Sequence, residues 1–165
     1  MFDPELRLGR GVHTPLPAGV TIRSATLDDC ADLAPRLRAA DRLEAHASFG
    51  VPTEYALRLI VLSSPASVAC VEGTPEMIFG CPKGDPWMLC TPLAVSPRWR
   101  KTFIRHSREH IDSWQTTFGR LHNFTDARNS VHHAWLRRVG FTFIAYNVPY
   151  GPYGEPFHEF ERTHV

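Results

Sequence analysis

A chain of 165 residues has the length of one compact domain, enough to bury about 70% of its unfolded surface without disulfide or metal staples. Its 43% apolar and 21% charged residues exclude disordered, collagenous and coiled-coil classes, and 18 Lys and Arg against 17 Asp and Glu leave no field to gather nucleic acid or an anionic membrane. No apolar run is long enough to span a bilayer, and Met1-Phe2-Asp3-Pro4-Glu5 lacks both the basic and the apolar part of a leader, so the sequence predicts a protein of the cytosol or assembled from it.

Residues 1–19, broken by Gly9, Gly11, Pro15, Pro17 and Gly19, read as an extended arm ahead of a single domain over 20–165. Phe2, Leu6, Leu8, Val12 and Leu16 along this arm are apolar anchors suited to pockets of a neighbouring subunit. Val20 to Ala25 alternates as a strand. Thr26 and Asp29 then form a capping box, opening a helix whose apolar face is Cys30, Leu33, Leu37 and Ala40, with Pro35 as a kink or a true first turn. A second helix is predicted over Thr53–Leu62, and a hairpin over Ala66–Glu72 and Glu76–Cys81 through Gly73-Thr74-Pro75. Trp87–Val95, apolar on both faces, predicts a central strand. Pro97 opens the longest helix, to Phe118, with Phe103, Ser107, Ile111, Trp114 and Phe118 as its stripe. Strands are predicted at Leu121–Asp126, Phe141–Val148 and, after a ring-rich turn over Pro149–Pro156, at Phe157–Phe160; between the first two lies a helix capped by Asn129 and closed by Gly140. The order is mixed α/β, a twisted sheet flanked by helices, with no internal repeat.

This order, with Asn129 to Phe141 reading NSVHHAWLRRVGF, is similar to the GNAT superfamily of acyl-CoA-dependent N-acetyltransferases. Leu33–Arg38, Ala40–Arg42, Pro86-Trp87, Asp126–Asn129, Trp135–Phe141, Tyr150–Pro152 and Pro156-Phe157 more narrowly resemble the internal virion protein A-like branch of short-tailed bacteriophages. The superfamily resemblance implies an acyl-CoA loop between the central strand and the long helix, where Val95, Arg100 and Lys101, with Asn129, are the residues that would contact the cofactor. That loop requires Arg or Gln, two residues, Gly, one residue, then Gly or Ala, because backbone amides must approach a pyrophosphate at a helix start. Arg100 fits the leading position, but Phe103 and Arg105 occupy the small-residue positions. The Tyr that many members place seven residues after the helix-opening Asn, as acid for the leaving thiolate, is Leu136.

Other constellations remain. His106-Ser-Arg-Glu109-His110 has the inverted zincin spacing, yet helical geometry puts both histidines beside the apolar stripe and Glu109 nearly opposite, a solvated face rather than a zinc site. Arg98, Arg100, Lys101, Arg105 and Arg108 crowd the start of one helix, as an anion site or as a rim facing an acidic protein. Asp41, Arg42 and Glu44 stand where the superfamily often has its substrate wall, and read otherwise as a local ion-pair set; His132 and His133 read as a base or, more simply, a helix-surface pair. Cys30, Cys70, Cys81 and Cys90 contain no C-x-x-C pair and predict reduced, mostly buried thiols.

Taken together, the expected function is a phage virion or assembly component, internal or at the head–tail connector. It would use an acetyltransferase-like fold to bind other virion proteins and further copies of itself, in the virion and in the host cytoplasm during assembly. No catalytic residue, metal or cofactor is assigned, and neither membrane nor nucleic acid is indicated as a partner. The alternative is an acyl-CoA-dependent N-acetyltransferase with a divergent loop, acting on host or phage proteins.

Overall fold

The computed structural model describes residues 14–163. The chain runs β1 (Val20–Ser24), α1 (Leu27–Arg36), α2 (Ala39–Phe49), α3 (Thr53–Ser63), β2 (Ala66–Val71), β3 (Thr74–Gly80), β4 (Trp87–Cys90), α4 (Arg100–Phe118), β5 (Arg120–Asp126), α5 (Ser130–Arg138), β6 (Thr142–Tyr150) and β7 (Glu155–Thr163). A short 3-10 turn, Pro82–Gly84, leads into β4.

Two sheets result, and among the described residues no backbone ladder joins them. β1, β2, β3 and β4 pair antiparallel in that order; β5, β7 and β6 form the second sheet, also antiparallel. β2 shows why the first sheet is a middle layer. Val68 and Cys70 pack with Cys30, Leu33 and Leu57 of α1 and α3, while Ala69 and Val71 pack on the other side with Phe79, Met88 and Phe103. A strand covered on both faces is an unbroken apolar run, and Val68–Val71 of β2 reads that way. Beneath the second sheet, Ile111 of α4, Leu136 and Val139 of α5, and Phe160 of β7 complete the core. Helices α1–α3 therefore cover one face and α4–α5 the other.

Local chemistry explains most boundaries. Thr26 Oγ1 accepts from the Asp29 amide at 3.3 Å and Asp29 Oδ2 accepts from the Thr26 amide at 2.8 Å, the expected capping box. Pro35 sits next to last in α1, and the helix stops one residue on. The β2–β3 hairpin turns at Glu72 and Gly73 (φ 49° and 80°), a two-residue turn one position earlier than the Gly73–Pro75 loop expected.

Three elements depart from the sequence reading. α2 was not expected. Its polarity is inverted, with Asp41 and Glu44 buried and Leu43 half exposed, so no apolar stripe announces it. The central strand ends at Cys90 rather than Val95, because Thr91–Trp99 folds into successive turns; Ala94 N donates to Thr91 O, Ser96 N to Leu93 O and Trp99 N to Ser96 O. β7 is a nine-residue strand rather than four residues, since Arg120–Asp126 pairs it over Phe157–Thr163 and Pro149-Tyr150 over Glu155-Pro156.

The arm falls mostly outside the described residues; of its five anchors only Leu16 is within them. Leu16 lies against its own chain, beside Val20, His106 and His110, and the Thr14 amide donates to Glu109 Oε1 at 3.3 Å. At these two positions the chain lies against its own α4.

Candidate functional site

The gap between β4 and β5 is where chemistry collects. On the α2–α3 face a cavity of about 480 Å³ opens between Glu44, Ser48 and Phe49 of α2, Leu57 and Ile60 of α3, Trp87–Leu89 of β4, Asn123 and Phe124 of β5, and Tyr150 of β6. On the α4–α5 face a narrow space of about 30 Å³, room for one water, lies among Met88, Phe103, His106, Trp114, His132 and Trp135. Pro86, Trp87, Met88 and His132 line both, so the two spaces meet at the gap.

A buried polar clasp bridges this gap. Asn129, at the start of α5, is 1% exposed. Its Nδ2 donates to Asp41 Oδ1 at 2.9 Å and Glu44 Oε2 at 2.7 Å, and its Oδ1 accepts from Arg38 Nη2 at 2.6 Å and from the His132 amide at 3.4 Å. Glu44 Oε2 also accepts from Thr125 Oγ1 at 3.4 Å and lies 3.6 Å from His132 Nδ1. The clasp reaches β4 as well: the Cys90 amide donates to Asp41 Oδ2 at 3.0 Å, and its carbonyl accepts from the Arg38 amide at 3.0 Å. Burial pushes the Cys90 thiol up to about 12, beside the Asp41 carboxylate. Buried polar groups cost free energy unless bonded, and here nearly every one is.

The sequence-predicted residues are dispersed by the fold. Val95 lies in the turns after β4, half buried against the α4-side core. Arg100 and Lys101 stand exposed at the start of α4 with Arg98, Arg105 and Arg108, Arg98 lying over the Trp99 ring at 5.1 Å. Asn129 is turned inward, its side chain committed to the clasp rather than to that loop. Asp41 and Glu44 are not a local ion-pair set but buried parts of the clasp, while Arg42 donates to the Pro35 and Leu37 carbonyls. His132 and His133 are buried rather than on the surface; His133 Nε2 lies 2.9 Å from the Asp126 carbonyl, and burial lowers its pKa. His106 is buried, His110 stacks against Phe79 and Trp114, and Glu109 comes to 3.5 Å from His106, so the helix face expected to be solvated is packed. Among the described residues no three His, Cys, Asp or Glu side chains converge as metal ligands. Cys30, Cys70 and Cys90 are buried and Cys81 partly so, all as free thiols.

The sequence matches no protein-family model and no curated protein. Solved structures do match. A GCN5-related N-acetyltransferase from Kribbella flavida aligns over 90% of this chain and 99% of its own at 17% identity, TM-score 0.63. A probable GNAT-family acetyltransferase from Chromobacterium violaceum aligns over 92% and 93% at 17% identity, TM-score 0.62. A putative acetyltransferase from Salmonella typhimurium, solved with acetyl-CoA, aligns over 88% and 94% at 19% identity, TM-score 0.57. The chain has the GNAT fold. None of these three is a virion protein, and the expected phage branch finds no support among them.

The GNAT fold implies acetyl-CoA, and the residues at the loop can be tested for it. They do not fit the superfamily pattern. The Trp99 and Arg100 amides at the start of α4 both donate to Ser96 O, so neither is free for a phosphate. Phe103, where glycine is needed, is buried in the core. Leu136, at the acid position, is 1% exposed and has no proton to give. The β4 edge at Cys90, the backbone an extended ligand would pair with, is occupied by Arg38 and Asp41.

Proposed function

We propose that this chain is a binding protein built on the GNAT fold, which holds a protein partner and transfers no acyl group. The observation that carries this reading is the clasp. Arg38, Asp41, Glu44 and Asn129 bridge the Cys90 end of the gap between β4 and β5 from within, with both backbone groups of Cys90 already taken. The Trp99 and Arg100 amides, both bonded to Ser96 O, and the buried Phe103 support it. A fold does not fix a function, and a site whose donors are internally consumed has lost the means of its ancestral task. In this reading the partners are other virion proteins and further copies of the chain, in the virion and in host cytoplasm during assembly. The support for that setting is the sequence resemblance alone.

A second reading is an acyl-CoA-dependent N-acetyltransferase with a divergent loop. The solved structures support it: the three above are described as acetyltransferases and one holds acetyl-CoA. On the comparisons alone this second reading is the better supported; the bridged gap is what sets the first ahead. Calorimetry with acetyl-CoA separates the two. The binding-protein reading expects no association tighter than about 1 mM, equivalent to about −4 kcal/mol. A micromolar dissociation constant replaces it with the second.

A further inference from the structure

Positive charge is unevenly placed on a chain whose net charge is +1. Seven arginines elsewhere in the described fold each meet an Asp or Glu carboxylate. Arg98, Arg100, Lys101, Arg105 and Arg108 around the start of α4, with Arg137 and Arg138 at the end of α5, meet no described carboxylate, and all are exposed. The acids on these two helices are Glu109 and Asp112, and both are engaged. Asp112 Oδ1 accepts from Arg162 Nη2 at 2.6 Å, and Glu109 Oε1 from the Thr14 amide at 3.3 Å. Like charges gathered on one surface repel, and a counter-charge from another molecule removes that cost.

The geometry of the face narrows the partner. Lys101, Arg105 and Arg108 recur at i, i+4 and i+7 and so share one side of α4. Arg108 Nη2 donates to the Arg138 carbonyl, which brings the end of α5 beside that side. Arg108 lies eight residues beyond Arg100, about 12 Å along the axis, so the centre of the face is well down α4 from the loop that precedes it. Val131, 50% exposed, and Ala134 stand with Arg138 on the outer side of α5. The rings in contact with these cations, Trp99 and Phe143, already carry Arg98 and Arg137 at 5.1 and 4.7 Å, so a nucleobase finds no open platform on them. Arginine forks hold carboxylates through two parallel bonds. An acidic helix therefore matches the face: carboxylates in the same i, i+4, i+7 repeat opposite the α4 cations, and a small apolar contact for Val131 and Ala134.

We propose that the outer face of α4 and α5 docks an acidic helix of a partner protein, its carboxylates on Lys101, Arg105, Arg108 and Arg138. The assignment rests on the binding-protein reading and gives the chemistry of the partner that reading calls for.

The test uses the full chain and a dye-labelled, blocked helical peptide with glutamate at each i, i+4 and i+7 position, read by fluorescence anisotropy. Saturable binding is expected at low salt, weakening as salt rises. Lys101→Glu, Arg105→Glu and Arg138→Glu, all at exposed positions, should each weaken it by about fivefold while melting like the wild type. Lys83→Glu, an exposed cation off this face, should leave the affinity unchanged. Absence of saturable binding overturns the proposal, as does unchanged affinity in the three face variants. Equal affinity for the same peptide with glutamine in place of glutamate, or equal weakening by Lys83→Glu, overturns it as well. A single-stranded oligothymidylate that binds more tightly than the peptide reassigns the face to nucleic acid and overturns it too. Acetyl-CoA added to the bound peptide separates this proposal from the reading beneath it. Acetyl-CoA that binds and leaves the peptide in place sinks the binding-protein reading while the docking face stands, and displacement of the peptide by acetyl-CoA sinks the docking face.

Discussion

Asn129 caps a helix and also joins both halves of the molecule. An N-cap needs only one oxygen, yet this amide uses its nitrogen as well, on Asp41 and Glu44. Replacing it with alanine would cost far more than a cap. Two buried carboxylates would each lose a donor, and Asn129→Ala is expected to destabilise the fold by about 3 kcal/mol, read by urea denaturation. Asp29 makes a second test at this scale. Arg23 grips its carboxylate through two nitrogens at 2.7 and 2.8 Å, and that hydrogen bonding, with the Thr26 cap, outweighs burial and holds its pKa below the ordinary value. A carboxyl depressed in the folded state adds stability above its unfolded pKa of about 3.9, and loses it as pH falls through the folded value. Asp29→Asn should therefore cost about 1–2 kcal/mol at pH 7, discounted for the half-exposed Arg23, and the gap to the wild type should narrow steadily below pH 4. Denaturant titrations at the two pH values check both the size and the sign.

Among the elements, legibility followed polarity. β1, the capping box, β5 and α5 each carry a period or a cap that only one structure satisfies, and they fall where the residues put them. α2 was illegible because its buried face is Asp41, Glu44 and two alanines, while Leu43 and Phe49 lie outward. A helix that buries charges and shows leucine makes sense only once the gap it fills is known. Asp41 and Glu44 were visible as a cluster, but nothing in a local triplet reveals partners 85 and 88 residues away. His132 and His133 misled for the same reason, since a surface pair and a buried pair have the same spacing. Another long-range fit fixes the β6–β7 turn. A Cβ at Gly151 (φ 69°) would lie 2.0 Å from the Ala47 carbonyl oxygen, and the Tyr153 hydroxyl donates to Gly50 O at 3.4 Å. Gly151→Ala must both strain its backbone and lift the turn off α2, so a loss of at least about 2 kcal/mol in thermal or urea melts is expected, with Gly154→Ala, which has no such neighbour, costing less.

At the scale of the whole molecule, a three-layer core is divided across its middle layer. α1–α3 above and α4–α5 below span a break where the strands on either side, β4 and β5, share no ladder. Asn123 Nδ2 reaches the Pro86 carbonyl at 3.1 Å across that break, and the clasp does the rest. Each sheet therefore has an outer rim and an inner one. The outer rim at β6 is blunted by register shifts around Ala145, by Asn147 at positive φ and by Pro149, features that discourage a foreign strand from adding to it. The inner rims have no such irregularity. At β4 the Asp41 carboxylate accepts from the Cys90 amide and the Arg38 main-chain amide donates to its carbonyl, so a substitution at Asp41 uncovers strand edge in the interior of the protein. Asp41 thus has a second duty, as the cover of an inner strand edge that would otherwise be open to pairing.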